Sequence, residues 1–380
     1  MKLKILHVSR NIPIKSIEGN RVILDILINI NSYDVEQKIL FPAEYIPKGI
    51  FKSSRLIAFS ELVGECSVDG IDVLFYKFFR FLKGKDFILS SLCLNNSNVD
   101  KYCSSADILH AHYIMPDGFI ANKLAKKINK PYVVSVRQGD IDRLRLIEHG
   151  CLYESMYYKV LKQASAVISI NHSIASYLFE RFSVHSYTLP HGVPSEIISK
   201  KKKVVSKTLQ VVTCAQLIDR KNIDWIINSF LDLSSEYDIE LTIIGAGPLE
   251  KKLTPYFGLP GINYLGSLSK DNVMNVFSSS DVFVLPSDNE TFGMVYIEAA
   301  AKGCLIIGKK DTGVDGYFKN NYDALFVSEQ DELTFLLKKI LTNKIDWRKK
   351  AEKGQENVRN NFTWDVIKKQ YMAIYEQVSK

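Results

Sequence analysis

Short apolar runs alternate with amphipathic stretches from one end of this chain to the other, and no other feature limits the fold as much. In the first half the runs are Leu3–Val8, Val35–Phe41, Ile71–Phe75, Ile108–His112, Tyr132–Val136, Ala166–Ile170 and Tyr187–Leu189. Helical spacing falls between several of them, as at Asn20–Ile30 and Gly118–Ile128. In the second half the runs are Leu209–Cys214, Ile239–Ile244, Ile262–Leu265, Val282–Leu285, Leu305–Ile307 and Ala324–Val327. Helical patterns at Asn222–Leu233, Leu249–Tyr256, Asp271–Phe277, Met294–Lys302 and Asp331–Leu341 separate these. Parallel strands need long crossovers, usually helices, so the pattern predicts an α/β fold with two doubly wound, Rossmann-like domains. A length of 380 residues gives each domain enough chain for its own core. The expected division is a first domain at 1–196, a polar, basic linker at 197–208 and a second domain from 209. Ligands of open α/β sheets lie beyond the carboxyl ends of the strands, so two such domains facing across a cleft would hold a ligand between them.

The net charge of +7 is unevenly placed. Residues 1–198 carry 24 Lys/Arg against 19 Asp/Glu, and residues 209–380 carry 20 against 23. The rest comes from Lys200, Lys201, Lys202, Lys203 and Lys207. A positive first lobe suits an anionic surface, phospholipid or nucleic acid, while the lysine tetrad also fits a plain solvated linker. Within Phe75–Lys85, aromatics interleave with Lys77, Arg80, Lys83 and Lys85, as in a segment lying at a membrane interface. The alternative is a strand end and helix that pack Phe78, Phe79 and Phe81 inward. No run approaches the ~18 apolar residues of a membrane span, and the interrupted apolar start is expected to be a first strand and not a signal peptide. The six cysteines form no Cys-x-x-Cys pair and stand near no histidine, which predicts reduced thiols, no metal site and a cytoplasmic protein.

The segment richest in chemistry runs from Val282 to Gly303. A buried strand ends at Pro286, a polar loop follows, and a small, apolar helix begins near Gly293. Gly293 permits close backbone approach, and the amides of Phe292, Gly293 and Met294 would form an anion site at the helix start. Glu298 lies inside that helix, where a carboxylate is costly to bury without hydrogen-bond donors, and sugar hydroxyls are good donors. Glu290 lies on the loop, so one acid would meet each end of a sugar-bearing diphosphate. The plain alternative makes Glu298 an exposed helix residue and Glu290 a helix N-terminal acid. Other loops point the same way: Gln216 to Asn222 after a strand, where Arg220 or Lys221 would neutralise a diphosphate, and Ile244-Gly245-Ala-Gly247-Pro248. The small-residue stretch Tyr264–Leu268 would carry a nucleobase.

In this order these segments resemble the retaining GT-B glycosyltransferases of glycosyltransferase family 4. The carrying residues are Glu290 and Glu298 within Glu-Thr-Phe-Gly-Met-Val-Tyr-Ile-Glu, preceded by Arg220-Lys221-Asn222, Ile-Gly-Ala-Gly-Pro-Leu and Leu-Gly-Ser-Leu-Ser, and followed by Thr312-Gly313. The first half matches more loosely, through Ala106–His112 with Pro116-Asp-Gly118, and through Leu189-Pro-His-Gly-Val193. Phe362-Thr-Trp364 resembles the start of a terminal helix, 363–380, that returns to the first domain and closes the donor domain at 362. Residues 43–100 show no resemblance of use.

The resemblance implies a nucleotide-diphosphate sugar as co-substrate, no cofactor and no metal. Glu298 would bind ribose hydroxyls, Lys221 with Arg220 the diphosphate, and Glu290 the donor sugar beside the Phe292–Met294 amides. Gln216, Gly245, Gly247 and Leu268 would line the donor site, with Gly19 meeting the diphosphate from the first domain. Two departures stand out. Ala215-Gln216 replaces the family's Gly-Arg, so Lys221 or Arg220 must carry more charge. Arg137 stands where the family often has histidine, and a guanidinium cannot act as a base. Arg137, Asp140 and His112 are expected on the acceptor side, with an Arg137–Asp140 ion pair as the plain alternative.

The implied reaction is hexosyl transfer with retention, to a lipid-linked or surface-polysaccharide acceptor such as a lipopolysaccharide, O-antigen or capsule precursor. The charge of the first half fits contact with the inner membrane leaflet, and abundant Lys, Ile and Asn fit an AT-rich bacterial gene. Rival readings are a GT-B sugar-nucleotide epimerase and a non-catalytic nucleotide-sugar or anion binder. A phosphorylase would need a longer chain, and no nucleic-acid-binding motif accompanies the modest basic excess.

Overall fold

The computed structural model describes residues 2–14, 17, 19, 21–31, 34–45, 57–58, 61–79, 97–147, 151–199 and 207–380. Contacts divide it into two compact units. One comprises Met1–Ile170, Ile174–Leu189 and Lys368–Lys380; the other comprises Asn171–Ser173 and Pro190–Ile367. Residues 190–196, expected with the first domain, group with the second because their backbone is stitched to its end. Val193 N–H donates to Phe362 O at 2.7 Å and Trp364 N–H to Val193 O at 3.0 Å. Residues 363–367 stay with that unit, and the return to the first unit begins at Lys368.

The first unit holds an eight-stranded sheet. Its strands are β1 (Leu3–Val8), β2 (Val35–Tyr45), β3 (Glu65–Val68), β4 (Ile71–Phe79), β5 (Ile108–Ala111), β6 (Tyr132–Val136), β7 (Ala166–Ser169) and β8 (Tyr187–Thr188). The order is β3-β4-β2-β1-β5-β6-β7-β8, parallel except for β3, which pairs antiparallel with β4. The alternation reading has no place for β3. Asp69 (φ 48°) and Gly70 (φ 80°) make the tight turn of its hairpin, and Val68-Asp69-Gly70-Ile71 is the sequence signal for it. The interior strands β5, β6 and β7 are buried along their whole length, as expected of parallel strands covered on both faces.

The second unit holds a six-stranded, all-parallel sheet in the order β11-β10-β9-β12-β13-β14. Its strands are β9 (Leu209–Cys214), β10 (Ile239–Ile244), β11 (Ile262–Gly266), β12 (Val282–Leu285), β13 (Leu305–Lys309) and β14 (Leu325–Val327). In both sheets the direction of winding reverses at the first strand of the unit, between β1 and β5 and between β9 and β12. Such a switch point opens a crevice at the carboxyl ends of the strands.

Lys200–Lys203, Glu18, Asn20 and residues 80–85 of the aromatic–basic run lie outside the described residues. No disulfide joins two cysteines among the described residues, and no described helix is long and apolar enough to cross a membrane.

Candidate active site

At the β9/β12 switch point two loops leave the sheet side by side. After β9 the chain runs through a short turn, Asp219–Lys221, into the helix Ile223–Ser234. Asn222 joins them in the left-handed conformation (φ 50°), which short polar side chains tolerate. After β12 comes the loop to Gly293 and the helix Met294–Ala301. The two loops are sewn together at Arg220, whose carbonyl accepts from Asp288 N–H at 2.7 Å and from Ser287 Oγ at 3.2 Å. Asn222 Nδ2 adds bonds to Pro286 O (2.8 Å) and Asp288 Oδ2 (3.0 Å).

This stitching brings Lys221 Nζ onto Glu290 Oε2. Their side chains are 9% and 11% exposed, so neither charge can be left without a partner, protein or ligand. Glu290 is held from the far side by Gly313, whose N–H donates to Glu290 O at 3.1 Å. Gly293 needs to be glycine twice over: its φ is +77°, and a Cβ would stand 2.4 Å from the ring of Tyr296. That buried tyrosine donates to Leu285 O at the end of β12. Burial, and then the charge of Glu290, push its hydroxyl well above its ordinary pKa.

Glu298 is neither the exposed residue nor the unpaired buried acid weighed from the sequence. Its side chain is 13% exposed and pairs with Lys270 Nζ at 3.1 Å. Lys270 opens the helix Lys270–Ser279 after β11 and is 64% exposed. Glu298 is also close enough to the end of β9 to help burial raise the Cys214 thiol to about 11. The remaining donor-side residues fall on the neighbouring strand ends. Gln216 is exposed, Gly245 N–H donates to Gly266 O at 2.7 Å, Leu217 N–H donates to Ala246 O beside Gly247 at 3.1 Å, and Leu268 is partly exposed just before the N-cap Ser269. The Arg220 side chain is exposed. Phe292 turns its ring into the core, edge-on to His191 at 5.4 Å.

The β1/β5 switch point of the first unit is built differently. His112, Arg137 and Asp140, expected on the acceptor side, are all buried. Asp140 accepts from the backbone N–H groups of Arg137 and Ile114, each at 3.1 Å, and caps the helix Gln138–Leu146. Arg137 Nε donates to His112 O at 3.2 Å. Arg137 thus braces the carbonyl of His112 from inside the unit, and its charge also acts on the Asp140 carboxyl. Gly19 lies where a Cβ would meet the carbonyl carbon of Ile12 at 2.1 Å.

His7, His110 and His112 bring ligand nitrogens within 4.8 Å of one another, the one histidine cluster of this kind among the described residues. Both nitrogens of His7 and of His110, and Nε2 of His112, are hydrogen-bonded to protein. Gln37 Nε2 donates to Leu27 O at 2.9 Å, which leaves Gln37 Oε1 to accept from His7 Nε2 at 3.0 Å. His7 Nδ1 must then accept from His112 Nε2, also at 3.0 Å. His110 lies between Tyr375 OH (2.7 Å) and Ser135 Oγ (2.8 Å). Burial lowers His7 to about 4 and, with help from His7 and Arg137, takes His110 well below its ordinary value. The cluster is a buried, hydrogen-bonded part of the core, and a metal held by His7 or His110 would have to take nitrogens already bonded.

Asp288, Lys270 and Lys309 have no role in the sequence reading, where Asn222 stands within the Arg220-Lys221-Asn222 motif. Asn222 follows Lys221 directly and had a signal in the Lys-Asn pair before a helix. Lys270 and Lys309 had none, because their partners are distant in the chain.

Residues 194–361 match the family described as glycosyl transferases group 1. Over 303 residues, 78% of this chain and 82% of the relative, the sequence is 22% identical to an uncharacterized glycosyltransferase of Methanocaldococcus jannaschii. The fold resembles the lipopolysaccharide outer core galactosyltransferase WaaB, with TM-score 0.71, 14% identity and 99% of both chains covered. It also resembles Anabaena HepE solved with UDP and glucose, with TM-score 0.66, 14% identity, and 99% of this chain and 100% of that one covered. The family match falls on the unit that carries both lysine–glutamate pairs, and the likeness to GT-B folds runs the length of the chain: the protein is a glycosyltransferase, similar to group 1 over residues 194–361.

Proposed function

We propose that the protein moves a hexose-type sugar, with retention, from a nucleotide-diphosphate sugar to a lipid-linked or surface-polysaccharide acceptor at the inner face of a membrane. The observation that carries the donor half of this reading is the nearly buried Lys221–Glu290 pair at the switch point of the six-stranded sheet. A lysine and a carboxylate at a strand-end crevice suit a ligand with phosphate at one end and hydroxyls at the other. Donor diphosphate takes Lys221, assisted by Arg220 and the amides around Phe292, Gly293 and Met294. Glu290 is then left to accept from sugar hydroxyls, and Glu298 from the ribose.

In the reaction the bond between the anomeric carbon and the phosphate oxygen breaks, and the acceptor oxygen bonds to that carbon on the same face. The acceptor proton passes to the departing phosphate oxygen. Lys221 stabilises the charge that gathers on the diphosphate, a task that needs no metal ion. Likeness to a galactosyltransferase of the lipopolysaccharide outer core supports an oligosaccharide acceptor of that kind, and the positive first half supports inner-leaflet contact and a cytoplasmic site of action.

Thermal shift and donor hydrolysis against UDP-glucose, UDP-galactose, UDP-N-acetylglucosamine and GDP-mannose test the donor reading. One of the four is expected to raise Tm and to be hydrolysed slowly, and Glu290→Ala to abolish turnover. No response to any, or full activity in Glu290→Ala, refutes the assignment. Epimerisation of donor incubated alone would establish the epimerase instead. Flotation with phosphatidylglycerol-containing liposomes tests the membrane contact, which is given up if the protein stays at the bottom of the gradient.

A further inference from the structure

We propose that Asp288 and Lys309 are positioning residues that hold the Lys221–Glu290 pair in its working geometry. The inference rests on the donor site described above. Asp288 is the point where three strand-end segments of the second unit meet. Its Oδ2 accepts from Asn222, the residue after Lys221, at 3.0 Å. Its backbone N–H donates to Arg220 O, on the other side of Lys221, at 2.7 Å. Its Oδ1 accepts from Lys309 Nζ, at the end of β13. Lys309 is in turn fixed from below, with Nζ 4.6 Å from the ring centroid of Trp225 in the first turn of the helix Ile223–Ser234.

One residue separates Asp288 from Glu290, and that residue, Asn289, is left-handed (φ 48°). A left-handed residue reverses the local course of the chain, so the direction in which Glu290 leaves the loop follows from where Asp288 is anchored. Asp288 thus grips the backbone on both sides of the lysine and, through one turn, sets the glutamate. As an ion pair Asp288–Lys309 is partly exposed, 43% and 20%, and contributes little to stability by itself. Its consequence is positional. Burial works to raise the Asp288 carboxyl, but the Lys309 and Asn222 bonds outweigh it and hold the group below the ordinary carboxylate value, so it stays ionised through the neutral range.

The test measures UDP affinity by calorimetry, and steady-state hydrolysis of whichever of the four nucleotide sugars above turns over fastest, in Asp288→Asn, Lys309→Met and Lys309→Arg. The expected result is a ten- to hundredfold fall in kcat for the first two, with donor KM and UDP Kd within about threefold of the parent. Lys309→Arg, which keeps the charge and the ring contact, should recover most of the loss. Unchanged kcat in Asp288→Asn and Lys309→Met overturns the inference. So does a loss that Lys309→Arg fails to rescue, or one that merely tracks a fall in Tm. Lys221→Met and Glu290→Gln run alongside: if these keep full activity, the donor-site reading itself has failed. If they lose it while the Asp288 and Lys309 variants do not, only the positioning role is lost.

Discussion

Both units open a crevice where their sheets reverse, yet they fill it in opposite ways. At the β9/β12 end of the second unit the charged groups form lysine–carboxylate pairs within and beside the crevice loops, Lys221–Glu290, Lys270–Glu298 and Lys309–Asp288. At the β1/β5 end of the first unit the polar groups are buried imidazoles bonded to one another and to neighbouring side chains, the Asp140 carboxyl bonded to backbone, and the Arg137 guanidinium bonded to the His112 carbonyl. An ion pair can exchange one partner for a ligand of the same charge with little reorganisation. A buried hydrogen-bonded network cannot, because each broken bond leaves a polar atom without a partner. The same topological position is therefore lined by exchangeable ion pairs in one unit and by an internally bonded network in the other.

The largest expected effect breaks that contrast at its functional end. Glu290→Gln should lower kcat by about 10²–10³-fold, the range for removing one preorganised electrostatic contact. Lys221→Met should instead weaken UDP, raising its Kd at least tenfold in a titration. Equal losses of kcat and UDP affinity in both variants would show that the pair acts as a single structural unit. His110→Ala tests the other end. It removes the bonds to Tyr375 and Ser135 and leaves a cavity in the core, so a stability loss of about 2–4 kcal/mol is expected in urea unfolding. UDP affinity should be unchanged, and a tenfold change in it would erase the distinction between the units.

Asp117 sharpens the contrast through pH. It is fully buried, and burial raises its carboxyl from 3.8 to about 8, with Arg10 pulling the other way and Asp140 adding to the rise. The folded chain therefore holds this proton more tightly than the unfolded chain. The stability it confers is complete below about pH 4 and drains away as pH rises toward about 8. Asp140, raised to about 7, adds a slope of the same sign. Asp117→Asn should flatten the fall of Tm between pH 5 and pH 8 without removing it. An unchanged slope would mean that the carboxyl titrates normally.

The sequence exposes the second unit more fully than the first, for a physical reason. Glu290, Gly293 and Glu298 lie in one contiguous loop and helix, and β9 to β14 are apolar runs with helices between them. β3 escaped because it is short and polar on one face, leaving the Asp69-Gly70 turn as its clue. The burial of His112, Arg137 and Asp140 was hidden from the sequence for another reason. Whether a histidine or arginine turns into the core depends on partners distant in the chain, His7 for His112 and the His112 carbonyl for Arg137, and spacing along the chain does not encode them. The same holds for Lys270 and Lys309, whose acids lie in the helix and the loop that follow β12.

Lys270 gives the smallest effect and the finest test of the exchange idea. It is an exposed lysine on a nearly covered glutamate, a pair worth less than ~1 kcal/mol to stability, so Lys270→Ala should leave Tm within a degree or two. Its effect on UDP depends on what Lys270 does when the ribose arrives. If Glu298 must give up Lys270 to accept the hydroxyls, removing the lysine frees the glutamate in advance. UDP should then bind about two- to threefold tighter, a difference below 1 kcal/mol. Raising the salt should shrink the advantage, because the competing pair in the parent is itself screened. Weaker binding in Lys270→Ala would instead assign the lysine to the nucleotide, and the pair seen without ligand would be the resting position of a residue that moves with its substrate.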